Sequence, residues 1–244
     1  MKKLLYSFFL FITVLAQAQV TTSPVIPTAS DVITITFDAT GTGLDGYTGD
    51  VYAHTGLITT TSTSNSDWKH VIGSWGNNAT QPQLTPTGTN TYQLVISPDI
   101  ATYYNSGADV VTDIALVFRN SAGNAQTSPD IFIPIYTAGL NVSITNPSDE
   151  SVYDLNDNIT ISAESSIAAD LELKVNTISE QTATNTTTIS KSYTFTSTGS
   201  YTIEASATEN SETKTEQVSV YVKTTTQNET LPTGLENGFN DNGD

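Results

Sequence analysis

The sequence predicts an all-β chain, two tandem antiparallel β-sandwiches behind a short leader, and three observations carry that prediction. Apolar residues alternate with polar ones at period two through much of the 244 residues, the spacing of a strand with one buried face. Thr occupies 43 positions, and its branched side chain suits a pleated sheet while disfavouring helix. Gly- and Asn-rich stretches interrupt the alternation at short intervals, as turns between strands do. Leu, Ile, Val and Phe total 58 residues, not far above the level that signals disorder. The cores must therefore be small, with each strand keeping one wet face.

Lys2 and Lys3 precede the apolar run Leu4 to Leu15, which is followed by Ala16-Gln17-Ala18. A basic start, a hydrophobic stretch too short for a bilayer and an Ala-x-Ala end describe a secretory signal peptide over residues 1–18. No cysteine follows it to take a lipid anchor, and no later stretch reaches membrane length. The expected product is exported, extracellular or periplasmic, without membrane insertion.

Residues 19–138 are expected to form the first sandwich. In Val32-Ile33-Thr34-Ile35-Thr36-Phe37, the apolar Ile33, Ile35 and Phe37 share one face. Further strands are expected at Asp50 to Ala53, Tyr92 to Ile96, Asp113 to Arg119 and Ile131 to Tyr136, with turns at 41–49, 73–78, 88–90 and 121–124. No segment sustains a helical period, although Ser97-Pro98-Asp99-Ile100 through Asn105 suits one capped turn.

Residues 139–223 read as a second unit. Leu140, Val142 and Ile144 alternate, then Asn146-Pro147-Ser148-Asp149 turns the chain. Alternation resumes at Ile159, Ile161 and Ala163, at Leu171, Leu173 and Val175, and at Tyr193 and Phe195. It ends with Tyr201, Ile203, Ala205 and Ala207, and with Val218, Val220 and Val222. Six or seven short strands with a turn at Gly199-Ser200 match an immunoglobulin-like sandwich, here lacking the Cys pair and core Trp of antibody domains. A spacer role is expected for it. Residues 224–244 read as a polar linker followed by Leu231-Pro232-Thr233-Gly234-Leu235, the start of a truncated third domain.

Composition excludes several functions. With 8 Lys+Arg against 25 Asp+Glu and a net charge of −17, no cluster can neutralise a run of phosphates, so nucleic acid is not an expected partner. The absence of Cys excludes disulfide scaffolds, Cys-ligated zinc, haem attachment and thiol catalysis. His54 and His70 stand isolated, with no H-E-x-x-H spacing, and no G-x-S-x-G elbow occurs. Gly41-Thr42-Gly43 lies in a loop between β segments rather than ahead of a helix. The scattered Asp and Glu read as solubilising charges rather than a glycoside-cleaving pair. Asp154-Leu155-Asn156-Asp157-Asn158 offers oxygen ligands of the kind calcium takes. It lacks the length and closing Glu of a known loop, so an inter-strand turn is preferred and no cofactor is expected.

The aromatic residues say more. Trp68 and Trp75, the only tryptophans, share the stretch Ser66 to Asn78, and Tyr47, Tyr52 and His54 precede them. A sugar ring has an apolar C–H face bordered by hydroxyls, so binding it needs a flat aromatic platform beside hydrogen-bonding Asp, Asn or Lys. Trp68, Trp75, Tyr47 and Tyr52 are accordingly the candidate carbohydrate-binding residues. The competing role is structural, since a sandwich commonly buries one Trp. Each Trp could take a different role.

These residues also carry a resemblance. Val20-Thr21-Thr22-Ser23-Pro24, Ile33 to Ala39, Gly46-Tyr47-Thr48-Gly49-Asp50-Val51-Tyr52-Ala53-His54-Thr55-Gly56, Ser66-Asp67-Trp68-Lys69 and Ala115 to Asn120 are similar to the amino-terminal region of exported alpha-amylase-type glycoside hydrolases of Bacteroidetes-like bacteria. The likeness covers nearly all of the chain after the leader, and Tyr47 to Gly56 is its most specific part. In that family an immunoglobulin-like spacer follows the first β-domain, then a sandwich opening with Leu-Pro-x-Gly, then a catalytic (β/α)-barrel. Leu231-Pro232-Thr233-Gly234 stands where that opening would fall. None of the barrel motifs is present, so no catalytic residue carries over, and the resemblance implies a fragment of a longer enzyme.

The expected function is the non-catalytic amino-terminal part of such an enzyme, binding or presenting α-glucan. The alternative is a spacer or adhesion-type cell-surface protein with no sugar site. Hydrolysis by these 244 residues themselves is not expected, and oligomeric state is not legible.

Overall fold

The computed structural model describes residues 20–224. The expected signal peptide lies outside the described residues, as does all of the expected linker and third-domain start except Thr224.

Two four-stranded antiparallel sheets enclose the first hydrophobic core. One runs β1 (Val20–Ser23), β2 (Ile33–Asp38), β6 (Thr91–Ile96), β5 (Thr85–Gly88). The other runs β4 (Lys69–Ile72), β3 (Val51–Thr59), β7 (Val111–Asn120), β8 (Ile131–Pro134). Ile33, Ile35 and Phe37 are fully buried, as their alternation predicts, and pair across the ladder with Ile96, Leu94 and Tyr92. Leu57, Ile114, Leu116 and Phe118 of the second sheet complete the same core. The rings of Phe37 and Phe118 meet at 4.4 Å.

The capped turn forms where the sequence places it. The Asp99 side chain accepts from Thr102 N at the start of α1 (Ile100–Tyr104), and Asn105 closes it in the left-handed conformation. Its Ile100 and Tyr104 plug the core, the Tyr104 hydroxyl lying 2.6 Å from Thr55 Oγ1. Neither tryptophan enters this core, whose large aromatics are Phe37, Tyr92, Tyr104 and Phe118. The core position open to one Trp is filled by these instead.

β3 and β7 are longer than expected and break the alternation, being buried on both faces. The chain from 60 to 84 causes this. It folds back over the outer face, pairs β4 with β3, and returns through hydrogen bonds from Ala53 N to Pro82 O and from Leu84 N to Val51 O. Gly56 makes the approach possible: a Cβ there would meet Lys69 O at 3.0 Å and a Val71 methyl at 3.1 Å.

The second core is built from six strands: β9 (Val142–Asn146), β10 (Val152–Asp154), β11 (Asn158–Val175), β12 (Ile178–Thr194), β13 (Gly199–Glu209) and β14 (Glu212–Lys223). Two are not short, as the alternation alone suggests. Residues 158–164 of β11 pair with 194–188 of β12, and 162–165 of β11 pair with β9. Residues 169–175 go on pairing with β12, while on the other edge of β11 residues 170–175 pair with β13 in place of β9. Register shifts in the β11–β12 ladder between Glu164 and Leu171 mark where the other edge of β11 passes from β9 to β13, so all six strands join in one hydrogen-bonded sheet. Ile161, Ala163 and Ile189 from one end of the β11–β12 pair share the core with Leu171, Leu173, Ile203 and Ala205.

Two details are those of an immunoglobulin-like unit. β10 runs parallel to β14 at the sheet edge. The Tyr201 hydroxyl, near the start of β13, donates back to Ser197 O at 3.0 Å, the geometry of a tyrosine corner. Asp154 to Asn158 is an inter-strand turn, with Asp157 Oδ2 accepting from Asp154 N at 2.8 Å and Asn156 at φ 73°. Among the described residues no three His, Asp or Glu gather as a metal site.

Candidate functional site

The outer face of the β3–β7 pair carries alternate residues of each strand. Tyr52 lies opposite Arg119, and His54 opposite Val117. The returning chain 60–84 lays Trp68, Val71 and Trp75 over this face without closing it. The result is a cleft of about 420 Å³ lined by His54, Ser66, Trp68, Val71, Trp75, Val117, Gln126 and Asp130. Trp68 stacks on the His54 ring at 5.3 Å and 22°, while Trp75 stands perpendicular to it at 4.9 Å. Trp68 is half-buried and Trp75 is 52% exposed, so indole surface remains open to a ligand.

A local hydrogen bond sets one indole and a tight turn places the other. Trp68 Nε1 donates to Asn65 O at 2.8 Å. Beside it, Asp67 accepts from Lys69 Nζ at 2.8 Å and from Thr63 N at 2.9 Å. The Lys69 hydrogen bond, then that from Thr63 N, holds the Asp67 carboxyl down at about 2. Trp75 sits in a tight loop opened by Gly73 at φ +69°, where a Cβ would fall 2.4 Å from Thr80 O; no other residue fits there.

Beneath the cleft lies a buried cation. Arg119 is fully buried and makes no ion pair with a carboxylate among the described residues. Its Nε donates to Gln81 Oε1 at 2.7 Å and its Nη2 donates to the same oxygen. Other hydrogen bonds run to Asn78 Oδ1 at 2.8 Å and Asn120 O at 2.9 Å. The Tyr52 ring covers the guanidinium, centroid to Cζ 5.3 Å. Gln81 passes the arrangement on through a 2.8 Å hydrogen bond between its Nε2 and His54 Nδ1. Burial, then the Arg119 charge, lowers the His54 pKa below its ordinary 6.5, with Asp130 acting in the opposite sense.

The four candidate residues are thus divided. Trp68 and Trp75 share the cleft, with His54 between them. Tyr52 is buried at 8% exposure and packs on Arg119 below the cleft. Tyr47 lies elsewhere, in a second cleft of about 300 Å³ with Asp50, Thr89 and Asn90, and its hydroxyl is 3.5 Å from Ser121 Oγ. Sequence reasoning missed the roles of Gln81, Arg119 and Asp130. A signal existed in Arg119, a lone cation directly after the apolar run Ala115 to Phe118, where a charge needs a buried partner set.

Fold and site together define a two-unit β-sandwich protein with an aromatic cleft on the first unit. No family model matches the chain, and no curated protein matches it by sequence. Solved structures match with low scores. The fibronectin(III)-like modules of Clostridium thermocellum CbhA match at 19% identity and TM-score 0.30, covering 36% of this chain and 100% of that one. An endo-beta-1,4-mannanase from Thermotoga petrophila matches at 11% identity and TM-score 0.29, over 36% of this chain and only 20% of that enzyme's length. The D0-D1 domain of Intimin matches at 9% identity and TM-score 0.38, covering 84% and 98%. Nothing in these comparisons ties the chain to alpha-amylase-type enzymes.

Proposed function

We propose that the first sandwich is a non-catalytic carbohydrate-binding module of an exported protein, with the second unit acting as its spacer. The observation that carries this reading is the open cleft holding two indoles and an imidazole beside Asp130, Ser66 and Gln126. Apolar ring surface for the C–H face of a sugar and polar groups for its hydroxyls stand side by side. The resemblance of Tyr47 to Gly56 makes α-glucan the first ligand to offer, and an alpha-amylase-type glycoside hydrolase the expected parent. Export follows from the leader read in residues 1–18. Single exposed clefts of this size bind weakly, at roughly micromolar to millimolar Kd.

Affinity gel electrophoresis of the full chain in soluble starch tests the reading. Retarded migration that is lost in Trp75→Ala and reduced in Trp68→Ala is the expected result. Unretarded wild-type migration would refute α-glucan binding. The second reading, a spacer with no sugar site, is favoured by the Trp68 Nε1 hydrogen bond within its own loop, which suits a cover over the sheet. It requires that Trp75→Ala leave migration in every polysaccharide gel unchanged.

A further inference from the structure

The hydrogen bonds beneath the cleft determine which nitrogen of His54 carries its proton. A guanidinium has only donors, and both Nε and Nη2 of Arg119 point to one atom of Gln81. That atom must be the amide oxygen. The other terminal atom is therefore the amide nitrogen, a donor, and it lies 2.8 Å from His54 Nδ1. Nδ1 must then accept, which puts the proton of the neutral ring on Nε2. Arg119 stays charged at any physiological pH, so the orientation of Gln81 does not reverse.

Nε2 makes no hydrogen bond to any described residue, yet it is not sealed from solvent. The ring is held between Trp68, stacked on it, and Trp75, perpendicular to it. We propose that His54 is a specificity-determining residue, a fixed Nε2–H donor that reads a sugar hydroxyl between the indoles and, with Asp130, selects neutral saccharides. This rests on the carbohydrate-binding reading above. A hydroxyl both accepts and donates, so a donor and a carboxylate lining one cleft suit it. A uronate would meet Asp130 and a chain of net charge −17, and like charge repels it. The charged or titratable groups acting on His54 are Arg119 from β7 and Asp130 from the segment before β8.

The test uses the full chain with two probes, maltoheptaose and a galacturonate oligomer of similar length. Long-range ¹H–¹⁵N spectra of His54 report the tautomer directly, with and without maltoheptaose, whether or not any variant folds. The expected result is the Nε2–H tautomer in the free protein and a perturbed Nε2 resonance on binding. His54→Phe, which keeps a flat aromatic ring between the indoles but has neither nitrogen, is expected to bind maltoheptaose about tenfold more weakly. His54→Gln, which supplies an amide N–H donor in place of the imidazole one, should recover part of that loss, and galacturonate should bind at least about tenfold more weakly than maltoheptaose. Maltoheptaose binding by a protein in the Nδ1–H tautomer, or undiminished in His54→Phe, overturns the inference and leaves carbohydrate binding standing. Equal binding of both probes overturns the selection of neutral sugars. Binding of neither probe overturns this inference and the carbohydrate-binding reading together.

Discussion

Replacing Arg119 by Met should cost the first sandwich about 3 kcal/mol of stability, a figure built from the acceptors it leaves behind. The substitution keeps an unbranched apolar stem against Tyr52 but removes every donor and the charge. Three acceptors lose their partner: Gln81 Oε1, Asn78 Oδ1 and Asn120 O. Asn78 is exposed and can turn to water, whereas Gln81 and Asn120 are only 4% and 7% exposed. Two buried acceptors at about 1–3 kcal/mol each give a loss near 4 kcal/mol, and relief from desolvating the guanidinium offsets roughly one of these. Both tryptophans lie in the first sandwich, so urea unfolding followed by indole fluorescence reports that unit alone. The wild-type and Met curves should share a slope and differ in midpoint. A difference below about 1 kcal/mol would refute the view that this buried cation organises the cleft floor.

Three further outcomes are expected. Gly56→Ala should destabilise the same transition by about 1–2 kcal/mol, because its Cβ would press on Lys69 O and Val71; a stabilised protein, as ordinary strand propensity would give, contradicts the close-approach argument. Tyr201→Phe should remove about 1 kcal/mol from the second unit through loss of the Ser197 hydrogen bonds. Calorimetry should show one transition moving down by several degrees while the fluorescence-monitored one stays put. For His54 the folded pKa lies below the unfolded value of 6.5, so the unfolded chain binds more protons in that window. The stabilisation is fully present above about pH 6.5 and is lost as pH falls through the folded value. Urea midpoints should therefore drop on acidification across this window in the wild type and drop less in His54→Phe; parallel profiles would show that His54 is not the group responsible.

Much of the fold was legible because period-two alternation states directly which side chains face inward. Ile33, Ile35 and Phe37 in the first core and Ile203 and Ala205 in the second sit as that pattern requires. Asp99 and Asn105 marked the helical turn α1 for the same local reason, a side-chain acceptor at one end and a left-handed residue at the other. The pattern fails where both faces of a strand are covered. β3 and β7 are buried at nearly every position, His54 and Arg119 lying on the outer face, and only the chain returning at 60–84 explains why that outer set is covered. It also fails within β11, since exchanging β9 for β13 on one edge leaves the alternation of each half intact and coincides only with a register shift against β12.

The candidate site divides along the same line. Local sequence brought Trp68 and Trp75 together, because they are neighbours on one segment and a platform needs flat rings beside polar groups. Tyr47 and Tyr52 also lie close to His54 in the chain, yet Tyr52, on the same strand face as His54, is covered where the returning chain bridges it at Gln83 and packs on Arg119, and a separate loop takes Tyr47 to another cleft. By itself the sequence determined the all-β class, the acidic and cysteine-free character, and the pair of indoles. Only the tertiary structure decided that the indoles lie outside the core, that an imidazole stands between them, and that Gln81 and Arg119 orient it. The physical reason is range. Periodicity and capping act within a few residues, whereas Arg119, Gln81 and His54 meet across separations of 38 and 27 residues, where nothing local records the contact.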